Sequence, residues 1–232
     1  VTQLAQAHKL AAAAITDPTA TVGTGTLTID FGTYDSGGNT FSVNAAKTAK
    51  TIDIGATDGS LNGIRDAINK ANAGITASII NDGSGYRLTI GSNDSGADNS
   101  LRIVVSNDGD GNNTDTLGLS KIAYNPTAVV GAGKNLTETL TAKSATLKID
   151  GIGITKSTNS ISDAIQGVTL NLLKTSVANT PTTLSVARNS GDVVTAVNSF
   201  VTAYNATNKI MKDLGGYDPA KKQAGLLLGD AT

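Results

Sequence analysis

From residue 25 to residue 173 the chain is written in short alternating runs cut by glycine and asparagine. "GTLTIDFG" (25–32), "TFSV" (40–43) and "TIDI" (51–54) are β-branched and alternate in polarity. "ITASIIND" (75–82), "YRLTI" (86–90) and "LRIVV" (101–105) repeat the pattern, as do "ATLKID" (145–150), "IGITK" (152–156), "VTLNLL" (168–173) and "TLSVA" (183–187). A period of two places every second side chain on one face, so each run reads as a half-buried strand, and the Gly/Asn clusters read as turns. Few folds satisfy so many short strands other than stacked antiparallel sheets. In the 75–90 pair, Ile75, Ala77 and Ile79 form the inward set, facing Leu88 and Ile90.

The stretch between those two strands, "NDGSG", is where a phosphate loop would be sought. A dinucleotide fingerprint needs G-x-G-x-x-G between a strand and a helix. Here Gly83 and Gly85 are followed by strand residues and by no third glycine. A hairpin turn accounts for all of it: Asp82, Gly83 and Gly85 supply the unusual backbone angles, and the flanking runs alternate. "GAGKN" (131–135) lacks both the hydroxyl residue after Lys134 and the earlier glycine of a Walker loop, and reads as a linker. "DGDGNNTDTLGL" (108–119) has the Asp108, Asp110, Asn112 alternation of a calcium loop. Its sixth position is Asn113 and its twelfth is Leu119, so the sharp turn and the bidentate carboxylate are missing.

Three stretches carry helical spacing. In "SLNGIRDAINKAN" (60–72), Leu61, Ile64, Ile68 and Ala71 share a face, and Ser60 is placed to cap the helix. Residues 192–214 contain no Gly or Pro, and Val193, Val197, Phe200, Tyr204, Thr207, Met211 and Leu214 keep 4-3 spacing over about three heptads. Gly215-Gly216 ends that run. At the start, Val1, Leu4, His8, Ala11 and Ile15 recur at 3-4 spacing until Asp17-Pro18, which predicts a helix over 1–15. The expectation is that the two terminal helices pair through Val1, Leu4, Ile15, Val197, Phe200, Tyr204, Met211 and Leu214, so that Phe200→Asp would cost roughly 3 kcal/mol. "SISDAIQGVTLNLL" (160–173) echoes residues 60–80, with Ser160 and Asp163 in a capping pattern, and predicts a second short helix feeding a strand. The fold class is α+β: two β-rich head modules on a helical leg. Residues 1–18 and 190–232 form the leg, 19–137 the first head module and 138–189 the second, one of which can be inserted in the other.

Composition narrows the function. At 39% hydrophobic, the chain has enough apolar residues to fold, but with 3% aromatic and no Trp its core rests on Val, Ile, Leu and Ala. A net charge of −1 argues against a nucleic-acid surface or a polybasic membrane patch. No apolar run approaches the ~20 residues that span a bilayer, and the start shows no signal-peptide pattern. Without cysteine there is no disulfide, thiolate zinc site or thiol nucleophile. The single histidine, His8, has no Ser-and-Asp pattern beside it and reads as a packed helix histidine. The carboxylates are scattered in turns and caps. Asn93, Asn112, Asn135 and Asn205 begin N-x-S/T patterns to which a Thr-rich chain assigns no role. The residues single out no catalytic, cofactor or metal site.

The stretch "SLNGIRDAINKANAGITASIINDGSGYRLTIGSNDSGADNSLRI" resembles the IN motif of flagellar hook-associated proteins. "ATLKIDGIGITKSTNSISDAIQGVTLNLL" is similar to the second signature of the flagellar filament cap family (hook-associated protein 2, FliD). "VVTAVNSFVTAYNATNKIMKDLGGYDP" with "GLLLGD" resembles the start of that family's C-terminal helical part, and "QLAQAHKLAAAA" its leading helix. The resemblance implies a structural cap at the distal end of the bacterial filament, exported and extracellular. Such a cap promotes flagellin polymerisation, prevents loss of subunits and supports motility. The implied partners are further copies in a homo-oligomeric ring, flagellin, other hook-associated proteins, an export chaperone for the full-length chain and, in an adhesive role, host mucin. It implies no enzyme, no cofactor, no nucleic acid and no membrane insertion. Against the family pattern the flanking segments are missing, so this chain is expected to be a fragment. Two other readings stand beside it: a glycan-binding surface module, for which only five Tyr and three Phe are available, and another axial protein such as a hook–filament junction protein.

Overall fold

A computed structural model describes residues 1–177, 180, 182–185, 191–220 and 222–228. The chain divides into two compact units, Val1–Pro181 and Thr182–Thr232.

The first unit is built on two sheets. One has the order β10-β1-β6-β5, from Thr137–Leu140, Ala7–Ala11, Tyr86–Ser95 and Ile75–Asn81, with every neighbour antiparallel. The other centres on the long strand β2 (Gly25–Asp35). Along one edge of β2 lie β3 (Thr40–Val43), opposite 32–35, and β4 (Lys50–Ile54), opposite 25–29. Along the other lies β7 (Ser100–Ser106), then β8 (Tyr124–Val130) and β9 (Ala132–Lys134), the last pair parallel. Two hairpins complete the unit: β11 (Ala145–Ile149) with β12 (Ile152–Lys156), and β13 (Ser160–Ile165) with β14 (Val168–Asn171). Between β11 and β12, Asp150 and Gly151 both take positive φ (50° and 85°), which a two-residue turn of matching twist requires.

The core follows from the period-two pattern. Leu27, Ile29 and Phe31 of β2 meet Leu101, Ile103 and Val105 of β7, and one continuous cluster joins them to Leu10, Leu88, Ile90, Ile75 and Ala77 of the other sheet. Helix α1 (Leu61–Lys70) closes it with Leu61, Ile64 and Ile68 buried. Its N-terminus is capped as the sequence predicts, the Gly63 amide donating to Ser60 Oγ at 3.2 Å. Ala71, assigned to the apolar face, is instead the exposed C-cap. Ile79 is half-buried opposite Leu88.

Two predicted helices are strands. Residues 1–15 form no helix: Ala7–Ala11 is β1, held between β6 and β10, and Gln3, Gln6 and Ile15 make isolated bridges to Thr146, Lys143 and Tyr86. Short helices carry a nucleation cost, whereas a central strand satisfies its backbone on both edges. The second is 160–165, which is β13. Gly167, at φ 78°, turns the chain straight back, and six residues are too few to repay a helix nucleus. The echo between 60–80 and 160–173 is therefore one of sequence, not of structure. "GAGKN" is not only a linker, since β9 lies within it. Thr183–Ser185 carries no strand, and residues 186 and 187 of that predicted run lie outside the described residues, as do 229 and 230 of "GLLLGD".

The second unit contains helix α2 (Gly191–Gly215) and a small hairpin, β15 (Tyr217–Asp218) with β16 (Gln223–Ala224). The α+β class holds, with antiparallel β-rich modules and a C-terminal helical part.

Candidate interaction surface

α2 forms because 192–214 has no breaker, an acidic Asp192 in the first turn and a basic Lys212 in the last, matching the helix dipole. Its hydroxyl residues are spent internally. Thr195, Ser199, Thr202 and Thr207 each donate to the carbonyl four residues back, at 2.8–3.0 Å. One stripe of the surface is apolar. Val197 (55% exposed), Phe200 (70%), Tyr204 (59%) and Met211 (65%) all face solvent, together with Val193 and Val194. Leu214 is half-buried, and no described residue of α2 is buried. The Phe200 and Tyr204 rings stack with centroids 6.3 Å apart. A heptad stripe left in water is a surface that gains on association, at about 25 cal/mol per Å² covered.

The structure does not assemble the eight predicted seam residues into one helix pair. Val1, Leu4 and Ile15 belong to the β-rich unit, each half-buried. The Val1 ammonium donates to Ser176 Oγ at 3.1 Å, and Ile15 exchanges backbone hydrogen bonds with Tyr86 and packs against the core. Since residues 1–15 are not helical, they offer α2 no helix to pair with.

The other singled-out residues have structural partners. Asn81 pairs with Tyr86, so residues 82–85 form the turn, with the Asp82 amide donating to the Gly85 carbonyl at 3.1 Å. Gly83 has φ 87°, and Gly85 lies so close to the Ile15 carbonyl that a Cβ would come within 2.7 Å of it. Asp82 accepts from Arg87 and Ser84, which hold its carboxyl well below the usual range. Buried Asp108 accepts from the Leu119 and Ser120 amides (3.1 and 2.7 Å), which ties the start of the 3-10 turn Leu119–Ile122 to the loop. Lys134 donates to the Pro126 carbonyl and lies 5.8 Å from the Tyr34 and Tyr124 ring centroids. The Asn135 amide donates to the Asp115 and Ser120 carbonyls.

One functional-looking group was misplaced by the sequence reading. His8 lies on β1 rather than on a helix, 1% exposed. The Leu101 amide donates to its Nδ1 at 2.8 Å, which leaves the proton on Nε2 to be donated to Glu138 at 3.1 Å. Burial pushes the imidazole below the usual histidine range, against an opposing pull from Glu138. Tyr124 meets the ring edge-on, 5.5 Å between centroids. Its phenol is pushed up, first by burial and then by the Glu138 charge. The alternation of His8, Leu10 and Ala12, all buried, was the available signal.

Comparison with known proteins gives the family. The model of the flagellar hook-associated protein 2 C-terminus matches residues 142–232. The B-type flagellar hook-associated protein 2 of Pseudomonas aeruginosa is 33% identical over 241 residues, covering 100% of this chain and 48% of that protein. The flagellar hook-associated protein 2 of Escherichia coli K12 is 36% identical over 238 residues, covering 100% of this chain and 47% of that protein. Among solved structures, the D1-D2-D3 domains of the flagellar cap protein FliD from Escherichia coli superpose with a TM-score of 0.76 at 33% identity, over 99% of this chain and 57% of that one. FliD from Pseudomonas aeruginosa superposes with a TM-score of 0.67 at 34% identity, over 90% of this chain and 86% of that one. The chain belongs to the flagellar hook-associated protein 2 family, a family of structural flagellar proteins and not of enzymes. It spans about half the length of the curated relatives it matches.

Proposed function

We propose that this chain is part of a cap at the distal end of the bacterial flagellar filament, where it promotes flagellin polymerisation and keeps exported subunits from being lost. The observation that carries the reading is the likeness to a flagellar cap protein over 99% of the chain. In this reading the β-rich unit is the head. The apolar stripe of α2 belongs to the leg, where it is covered by further helix of the full-length protein or by a neighbouring copy in a homo-oligomeric ring. Flagellin and the other hook-associated proteins are the partners at the tip, an export chaperone serves the full-length chain, and the site of action is outside the cell. A cap must release and regrip as each subunit inserts, which favours many weak contacts over a few strong anchors. The 3% aromatic content suits that, because binding hot spots are enriched in Trp and Tyr.

The test is made on cells. Deleting the gene in the source bacterium should leave hook-only or bald cells and monomeric flagellin in the medium, and restoring the full-length gene should reverse both. Normal filaments and normal swimming in the deletion strain, with no second cap gene present, would overturn the reading and bring the surface-adhesin alternative forward.

A further inference from the structure

We infer that His8 is an acid-sensitive latch, whose neutral imidazole ties strand β1 of one sheet to β7 of the other and whose protonation lets β1 loosen. The argument is geometric. The ring stands at the junction of four strands: it sits on β1, takes the Leu101 amide of β7 on Nδ1, gives its Nε2 proton to Glu138 of β10, and lies edge-on to Tyr124 of β8. With 1% of its surface exposed, it has no room to turn toward water while β1 stays docked.

Both nitrogens are committed, and the two commitments differ. The Nε2 bond survives protonation and would become an ion pair. The Nδ1 bond does not, because a protonated Nδ1 is a donor aimed at another donor, the Leu101 N–H, and the amide loses its acceptor inside the core. The titratable groups that face the ring are the Glu138 carboxylate and the Tyr124 phenol; β7 presents a backbone amide, and β6 pairs with β1 through backbone on either side of His8, at Ala7 and Lys9. Among the described residues Glu138 is the one charge that acts on the ring, and it favours the cation. It is half-buried and shared with Tyr124, while the loss on the Nδ1 side is wholly internal. Burial wins, so docked His8 holds its proton less tightly than a released one. The docked state is therefore fully favoured above the ordinary histidine pKa near 6.5 and loses ground as the pH falls below it.

The experiment is hydrogen exchange and histidine NMR on the intact 232-residue chain between pH 7.5 and 5.5. The docked ring should titrate well below 6.5 with Nδ1 unprotonated. The opening constant of the Ala7–Ala11 and Leu101 amides, corrected for the intrinsic exchange rate, should rise about ten-fold over that range. His8→Asn keeps an acceptor oxygen close to the Nδ1 position but cannot take a charge, so its opening should not depend on pH. His8→Phe removes the acceptor and should open more readily at every pH. A ring that titrates at or above 6.5, wild-type opening that stays flat with pH, or an undiminished pH dependence in His8→Asn would each overturn the latch. If the variants do not fold, the wild-type titration and exchange decide alone.

Discussion

Asn69 and Asn159 act alike at two separate places. Asn69 donates its amide to the Ala77 carbonyl (2.9 Å) and accepts the Ala77 N–H (2.8 Å). Asn159 does the same for Ala5, at 2.9 and 2.8 Å. A side-chain amide carries the same donor and acceptor as a backbone unit, so each Asn stands in for a missing strand partner. For Ala77 this matters because β5 is an edge strand, and unpaired edges invite pairing with other chains. Asn69→Ala should cost about 1–3 kcal/mol by leaving partly buried backbone groups unmet. Asn69→Asp should cost a similar amount, because a carboxylate accepts from Ala77 N–H but cannot donate to its carbonyl. Chemical denaturation of the two variants checks this, and a change below ~0.5 kcal/mol in both would show that water replaces the amide freely. Nothing local marks these residues. An Asn in a helix and an Asn in a loop read as surface, and their role exists only because a strand ends up alongside.

Elements show where local pattern is a sound guide. α1 was legible, apart from the exposed C-cap Ala71, because three features agreed: apolar spacing, the Ser60 cap and the following strand. Among the runs expected to be strands, those from 25 to 173 form strands, the last ending at Asn171 short of Leu172 and Leu173, because alternation and turn residues agreed in the same way. β1 was not legible, since Ala-rich sequence with 3-4 spacing favours a helix on propensity alone. Sheet pairing on both edges overrides that preference, helped by register shifts at 7–9 and 9–10 that fit the strand into place. The consequence for α2 is direct. With no N-terminal helix to pair with and Phe200 at 70% exposure, Phe200→Asp should leave the unfolding free energy of this chain within ~0.5 kcal/mol of wild type, in place of the roughly 3 kcal/mol that a buried seam would lose. Thermal unfolding followed by circular dichroism checks this, and the larger loss would mean the stripe is covered in solution.

At the scale of the molecule, the β-rich unit holds every buried residue of the core cluster, while α2 buries none of its described residues. The stability of the chain should therefore reside in Val1–Pro181. Expressed alone, residues 1–181 should unfold cooperatively at the midpoint of the whole chain. A markedly lower midpoint would show that the second unit contributes packing. The proposed division into a leg and two head modules bears on the same point. Gln3 and Gln6 bridge to Thr146 and Lys143, and β1 pairs with β10, so the N-terminal stretch is woven in beside residues 137–146. We therefore propose that 1–18 belongs with the β-rich body and that the leg in this chain begins with α2.

Period and punctuation were enough to determine the short strands between residues 25 and 173, the capped helix at 61–70 and the long helix over 192–214. Both signals act within a few residues, and neither needs a partner to be known. The apolar heptads of 192–214 were equally local. Tertiary structure decided the rest. It made a strand of residues 7–11, because hydrogen bonds to distant neighbours on both edges outweighed a helical preference, while 160–165 became a strand through the tight Gly167 turn that pairs it with 168–171. It turned His8 from a packed helix histidine into a buried link between two sheets, and it assigned Asn69 and Asn159 their backbone partners. The His8, Asn69 and Asn159 contacts join residues separated by 8 to 154 positions. Only the folded chain brings such pairs together.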